Sequence, residues 1–350
     1  MDIAVLGATG EVGRTILQLL EEREFPVDRL YPLASSRSAG GTLAFKSAEI
    51  EVLDAEKFDF SKVELAFFSA GGEVSARYVP AALEQSVTVI DNTSHYRMQP
   101  EVPLVVPEVN GDLLDQCALP QVISCPNCST IQMVVALSPL AKAFGLSKVE
   151  VVTFQAVSGA GQSAMTELST QTASLMSGQE AEAEVFSSPI AFNVLPAIGS
   201  FDQNRYTQEE NKMILETRKI LQLPNLSVNP TCVRVPVFYG HSEAVCVALE
   251  QAVTLEQFRT ALVKAEGLEL MDDPRYFIYP TPMEHAAGQD VVLVGRIRPA
   301  NYSPDSLSGT ALKTQPSSAY NMWVVADNVR KGAALNSIQI AERLLPRFIA

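Results

Sequence analysis

Histidine and tryptophan are scarce in this chain, with three and one among 350 residues. Cysteine is little used as well. Cys117, Cys125, Cys128, Cys232 and Cys246 are odd in number and widely spread, which excludes a disulfide framework. The only close pair is Cys125 and Cys128, and no second Cys-x-x-Cys or His-x-x-x-His completes a zinc site, so no metal is expected. Basic residues fall short of acidic ones, 26 against 40, for a formal net charge of −14. That balance argues against nucleic acid as a partner. It also means that an anionic substrate or cofactor needs a local positive pocket on a negative molecule. No apolar run is long enough to span a bilayer, so no membrane partner is expected. Met1-Asp2-Ile3-Ala4-Val5-Leu6 leads directly into strand-like sequence, with neither a basic n-region nor an apolar h-region. A cytoplasmic protein is therefore expected.

The length suits two domains better than one core. The N-terminal part alternates strand and helix signals. Ile3–Leu6, Leu30–Ala34, Leu65–Phe68 and Val87–Ile90 read as short buried strands, and Val12, Ile16, Leu19 and Leu20 share a helical face. Strands spaced by helices imply a parallel doubly wound sheet. After residue 128 the pattern changes to longer strands, at Glu150–Ala156, Thr231–Val237, Ala244–Glu250 and Val291–Arg298, separated by long helical or loop segments. The expected fold is α/β: a Rossmann-like nucleotide-binding domain, followed by an α+β domain with a large mixed sheet. The first domain is placed at 1–127 and the second at 128–328. The amphipathic segment 329–350, with Val329, Leu335, Ile338, Ala341 and Leu345 on one face, is expected to complete the first.

Three patterns carry chemistry. The first is Gly7-x-x-Gly10-x-x-Gly13, between a strand and a helix. Glycines there permit a tight turn and close approach to phosphate, and the helix N-terminus attracts a pyrophosphate; the alternative is a plain strand-to-helix turn. The second is Ser35-Ser36-Arg37-Ser38 at the end of the second strand, where an NAD site often has an acid. Hydroxyls and a guanidinium suit a 2′-phosphate, so NADP is expected over NAD; the alternative is a solvated polar loop. The third is Ser124-Cys125-Pro126-Asn127-Cys128-Ser129-Thr130. A helical pattern from Ile131 to Phe144 follows it and sets the Cys128 thiol at a helix N-terminus, where negative charge is favoured. A thiol so placed ionises more easily, and the thiolate is the reactive form. His241, in Gly240-His241-Ser242-Glu243, is a candidate acid/base partner, while Arg97, Lys212 and Arg234 are candidate anion binders. Each of these, taken alone, also fits a structural or surface role.

Together these segments resemble bacterial aspartate-β-semialdehyde dehydrogenases. The resemblance rests on Gly-Ala-Thr-Gly-Glu-Val-Gly at 7–13, Pro-Asn-Cys-Ser-Thr-Ile-Gln at 126–132 and Ser-Gly-Ala-Gly-Gln at 158–162. It continues through Gly-His-Ser-Glu-Ala-Val at 240–245 and Arg-Lys-Gly-Ala-Ala-Leu-Asn at 330–336. The resemblance implies NADPH-dependent reduction of L-aspartyl 4-phosphate to L-aspartate 4-semialdehyde with release of phosphate. This is a step toward lysine, threonine, methionine and diaminopimelate. It implies that Cys128 forms a thioester, with His241 as acid/base residue. Gln155 is implied to hold the acyl group, Arg234 the substrate carboxylate, Glu209 the ammonium, and Arg97 with Lys212 the phosphate. Thr9, Gly10, Glu11, Val12, Ser35, Ser36, Arg37, Ser38, Ser158, Gly159 and Asn328 fall where the family touches NADP. A homodimer, or a tetramer built from dimers, is also implied.

The chain departs from the family at Cys125, where asparagine is usual. The second thiol is either inert or a partner for a reversible disulfide with Cys128. Two other functions compete with the main one. N-acetyl-γ-glutamyl-phosphate reductase shares the chemistry, and a non-catalytic paralogue would keep only the fold. The presence of Cys128, Gln155, Arg234 and His241 together weighs against the latter.

Overall fold

The computed structural model describes residues 1–300 and 315–349. Residues 301–314, assigned above to the second domain, and Ala350, assigned to the C-terminal helix, lie outside the described residues. The chain divides into two compact units, Met1–Asn127 with Gly332–Ala350, and Cys128–Lys331.

The first unit begins with β1 (Asp2–Leu6), α1 (Glu11–Glu22), β2 (Arg29–Ala34), a hairpin of β3 (Thr42–Phe45) and β4 (Ala48–Glu51), and β5 (Leu53–Asp54). It continues with β6 (Leu65–Phe68), α2 (Gly72–Glu84), β7 (Thr88–Asp91), α3 (Pro107–Asn110), α4 (Leu113–Gln116) and β8 (Val122–Ser124). Six strands form one sheet in the order β5-β2-β1-β6-β7-β8, and every pairing is parallel. Such a sheet is covered on both faces, so its strands are continuously apolar. Alternation divides β1 accordingly. Ile3 and Val5 pack with Ile16, Leu19 and Leu20 of α1, whereas Ala4 and Leu6 pack with Val79 and Ala82 of α2. The α1 face is completed by a C-terminal helix of the unit, Leu335–Leu344, whose Leu335, Ile338, Ala341 and Leu344 join the same cluster. At its rim Arg23 holds Glu342 with two hydrogen bonds of 2.6 and 2.9 Å.

The second unit contains α5 (Cys128–Phe144), β9 (Leu146–Gln155), α6 (Gln162–Met176), α7 (Gln208–Leu221), β10 (Ser227–Arg234) and β11 (His241–Val253). After these come α8 (Leu255–Val263), β12 (Leu268–Leu270), β13 (Val292–Pro299) and β14 (Ser317–Ala326). The helix Leu335–Leu344 of the first unit is α9, and a short α10 (Pro346–Ile349) follows it. The second sheet is mixed, in the order β10-β9-β11-β14-β13-β12. Only β10–β9 and β12–β13 pair in parallel. The expected strand Thr231–Val237 stops at Arg234, because the Val235 amide turns to the Gln155 carbonyl and Pro236 has no N–H to continue a ladder. Strand β14 has no counterpart in the sequence reading, although it lies at the centre of this sheet. Helix α5 begins at Cys128, three residues ahead of the expected periodic start, and its residues Ser129–Ser138 are buried throughout.

Candidate active site

The second unit's site is built on strand ends. Because β9 and β10 run parallel and β11 runs against β9, the C-termini of the first two lie beside the N-terminus of the third. Gln155, Arg234 and His241 are the terminal residues of these strands, so one sheet edge gathers all three. Register pairs Arg234 with Gln155, and Ser242 with Phe154, which leaves His241 opposite the same end of β9. Cys128 opens α5, the helix lying on this sheet, and its thiol acts electrostatically on the Arg234 guanidinium.

Each polar side chain is anchored. Arg234 is 5% exposed and donates from Nη1 to the Ala156 carbonyl at 2.6 Å. Burial lowers its pKa, while the Glu209 carboxylate and then the Cys128 and Cys232 thiols oppose that shift. Gln155 donates from Nε2 to Glu209 Oε1 at 3.3 Å, and Glu209 Oε2 accepts from Lys212 Nζ at 3.1 Å. Glu209 is held in the first turn of α7 by the Thr207–Glu210 capping box. His241 is fully buried, with Nδ1 accepting the Ala156 amide at 3.0 Å. Burial first, and the Arg234 charge second, hold its pKa well below the ordinary histidine value. Asn328 ties Ser158 to this edge. Its Nδ2 donates to Ser158 Oγ at 2.9 Å, and its Oδ1 accepts the Gly240 amide at 2.9 Å. A Cβ placed on Gly159 would lie 3.1 Å from Arg234 Nη1 and 3.3 Å from His241 Nε2, so the missing side chain keeps a space in front of both donors.

The first unit carries a cleft of about 570 Å³ at the C-terminal ends of β1, β2 and β6. Thr9, Gly10, Ser35, Ser36 and Ser38 line it. Gly7 sits at φ +91°, and a Cβ on Gly13 would collide with the Gly7 carbonyl oxygen, so this turn requires glycine at both places. Gly10 caps α1 without a side chain, which leaves the helix start open toward the cleft. These features fit a dinucleotide's phosphates. Glu11 and Val12 form the first turn of α1, and Arg37 is exposed and outside the lining. Glu56 and Arg77, paired at 3.0 Å, also line the cleft and escape the sequence reading. The position of Arg77 on α2, which starts at Gly72 just past the Gly71 turn, is the one local hint of it. Arg97, on the segment after β7, donates to the Asn92 carbonyl at 2.8 Å and is 6% exposed. Cys125 is fully buried in this unit, 3.2 Å from Ser337 Oγ, and burial pushes its pKa up to about 11. A buried thiol kept protonated favours the inert reading over a redox role. Among the described residues, no cluster of histidine, cysteine and carboxylates could hold a metal, and no helix is long and apolar enough to cross a membrane.

Residues 2–117 match the family model of the semialdehyde dehydrogenase NAD binding domain, and residues 137–331 match that of the semialdehyde dehydrogenase dimerisation domain. The chain is 49% identical over 344 residues to an aspartate-semialdehyde dehydrogenase of Shewanella violacea, covering 98% of this chain and 97% of the relative. Its structure is similar to that of aspartate semialdehyde dehydrogenase II of Vibrio cholerae complexed with ASA, with a TM-score of 0.91 and 49% identity over 99% of this chain and 98% of that one. It is also similar to aspartate semialdehyde dehydrogenase with NADP from Candida albicans, with a TM-score of 0.73 and 25% identity over 100% and 99% of the two chains.

Proposed function

Because the chain belongs to the aspartate-semialdehyde dehydrogenase family, we propose that it reduces L-aspartyl 4-phosphate to L-aspartate 4-semialdehyde with NADPH, through a thioester on Cys128. The observation that carries this reading is a cysteine opening a buried helix beside a buried arginine, at the sheet edge that also holds Gln155 and His241. A thiolate suits acyl transfer because it both attacks and leaves well. Arg234 offers a planar fork for the substrate's α-carboxylate. Glu209 provides the countercharge for its ammonium, and Gln155 holds the acyl group. Lys212 supplies a cation for phosphate on this unit, and Arg97 a second on the first unit. In a chain of net charge −14, a doubly anionic substrate needs such cations.

NADPH supplies the hydride when bound. The Gly7–Gly13 turn and the start of α1 would hold its pyrophosphate, and Ser35, Ser36 and Ser38 would line the ribose end. Arg37 would reach the 2′-phosphate from outside the cleft wall, and Ser158, Gly159 and Asn328 are proposed as further cofactor contacts. The preference for NADP over NAD is supported by the absence of an acid at the end of β2. Glu56, one of the acids in the lining, is paired with Arg77. A homodimer is supported by the dimerisation domain; a tetramer built from dimers, a place in the cytoplasm and a step on the route to lysine, threonine, methionine and diaminopimelate are part of the same proposal.

The test is the reverse reaction with L-aspartate 4-semialdehyde and phosphate, run side by side with NADP and NAD. N-acetyl-glutamate semialdehyde is the competing substrate. Reduction of NADP with the aspartate compound alone is the expected result, and preference for the acetylated one would move the chain to the other reductase. Cys128→Ala should abolish turnover while leaving NADPH binding intact. Full activity of that variant would overturn the thioester.

A further inference from the structure

The lining of the nucleotide cleft includes three charged side chains, Glu56, Glu73 and Arg77. Two are acids and one is a cation, so the wall by itself is net negative. A dinucleotide adds the charge of its pyrophosphate, and a 2′-phosphate monoester adds about 1.5 to 2 negative charges more. Arg37 is exposed and outside this lining. Among the lining residues, Arg77 is the one cation available to offset that charge.

Two elements bring Arg77 and Glu56 together. Strand β5 runs parallel to β2 with Asp54 aligned to Ala34, so the chain leaves both strands at the same end of the sheet. Ser35, Ser36 and Ser38 follow β2, and Glu56 follows β5. The Asp54 carboxylate caps the turn Ala55–Lys57 by accepting the Glu56 amide at 3.1 Å, which fixes the Glu56 backbone there. The neighbouring strand thus supplies the acid that the end of β2 lacks. Such an acid is what accepts the ribose 2′-hydroxyl in an NAD site. Arg77, in the second turn of α2, covers it: Nη1 donates to Glu56 Oε1 at 3.0 Å, while the guanidinium lies 5.0 Å from the Tyr78 ring centroid.

The two side chains are 62% and 53% exposed, and an ion pair in such a setting is held weakly. Arg77 can therefore shift toward a second anion at little cost. Its bond to Glu56 uses one of the five guanidinium N–H groups, and the planar fork suits phosphate oxygens. We propose that Arg77 and Glu56 together select the cofactor: Arg77 binds the 2′-phosphate of NADPH, and the same guanidinium withholds Glu56 from the 2′-hydroxyl of NADH. The inference rests on the NADP reading proposed above and deepens it by naming two residues that the cofactor contacts given there do not include. An ion pair of purely structural use would leave the choice between the two cofactors unmoved.

Binding constants test this without turnover. Dissociation constants for NADPH and NADH come from fluorescence titration of the full chain, and those for 2′,5′-ADP and 5′-AMP from calorimetry at the same ionic strength. Arg77→Ala should weaken NADPH and 2′,5′-ADP about 10–100-fold, the scale of one or two lost charge-assisted hydrogen bonds. NADH should tighten several-fold in that variant, because Glu56 is uncovered, and adding Glu56→Gln should remove the gain. Arg77→Lys keeps the charge and should recover part of the NADPH loss. Equal weakening of both cofactors, or no change in either, overturns the proposal and leaves a surface ion pair. Weaker NADPH with unchanged NADH overturns the part given to Glu56. A parent protein that binds NADH as tightly as NADPH would instead overturn the NADP reading, while a selective loss of 2′,5′-ADP in Arg77→Ala would still assign Arg77 to the 2′-phosphate.

Discussion

Glu243 shows what one residue on the inner face of the second sheet does to the whole protein's pH response. It is fully buried two residues along β11 from His241, and register aligns it with Thr153 on β9 and, through Thr153, with Cys232 on β10. Both carboxyl oxygens are buried, and the one polar side chain that acts on them to oppose the effect of burial is Gln132, one helical turn beyond Cys128 on α5. Burial pushes its pKa well above the ordinary value near 4.5. The folded protein therefore holds a proton that the unfolded chain has released, and stability falls as pH rises from about 4.5, at up to about 1.4 kcal/mol per pH unit. Glu243→Gln removes this cost. Its Tm relative to the parent protein should be higher at pH 8 than at pH 5, as read by calorimetry. An equal difference at both values would mean that Glu243 is ionised in the fold. Single residues were also the most legible part of the site. Cys128, Arg234 and His241 stand in short motifs whose chemistry shows in residue type alone. The Thr153–Cys232–Glu243 row was not legible, because it exists only through pairing of strands that are far apart in sequence.

Elements with strong local periodicity were readable, and those depending on distant partners were less so. Strand β1, the glycine turn and α1 follow from a buried run, three glycines and one helical face. Strand β14 was missed although Tyr320, Met322 and Val324 alternate inward, because its polar flank, Thr314-Gln315-Pro316-Ser317-Ser318, reads as a turn and no local feature announces a central strand. Helix α9 lies between these cases. Its amphipathic stripe is visible in the sequence, while the surface it meets is set by residues more than 200 positions away. That stripe makes a specific demand on packing. Ile338 is fully buried against the α1 face, and truncating such a side chain leaves a cavity that costs about 2–5 kcal/mol. Ile338→Ala should therefore lower the urea midpoint of the first unit's unfolding by that amount of free energy. A shift within error would show that α9 is not bound into this core.

At the scale of the whole molecule, the first unit is discontinuous, because its sheet is built before residue 128 and part of one of its two covering layers is supplied after residue 331. A parallel sheet needs apolar cover on both faces. Without α9, Ile16 and Leu20 of α1 and Ile90 and Ile123 of the sheet lose their neighbours Leu335, Ile338, Ala341 and Leu344. The same removal breaks the Arg23–Glu342 and Arg343–Asp115 pairs at the rim and takes Ser337 from Cys125. The exposed ion pairs contribute little individually. Burial of four apolar side chains is the larger effect, at about 1.5–3 kcal/mol for each large one. That total is comparable with the entire stability of a typical domain. The nucleotide cleft is lined by β1 and β2 ends that rest on this core. A chain ending at Lys331 should thus lose NADPH binding, measured by fluorescence titration, and show an uncovered first unit that binds a hydrophobic dye, even though every proposed nucleotide-contacting residue is still present. Retained binding with unchanged dye response would show that the unit is complete without its C-terminal layer.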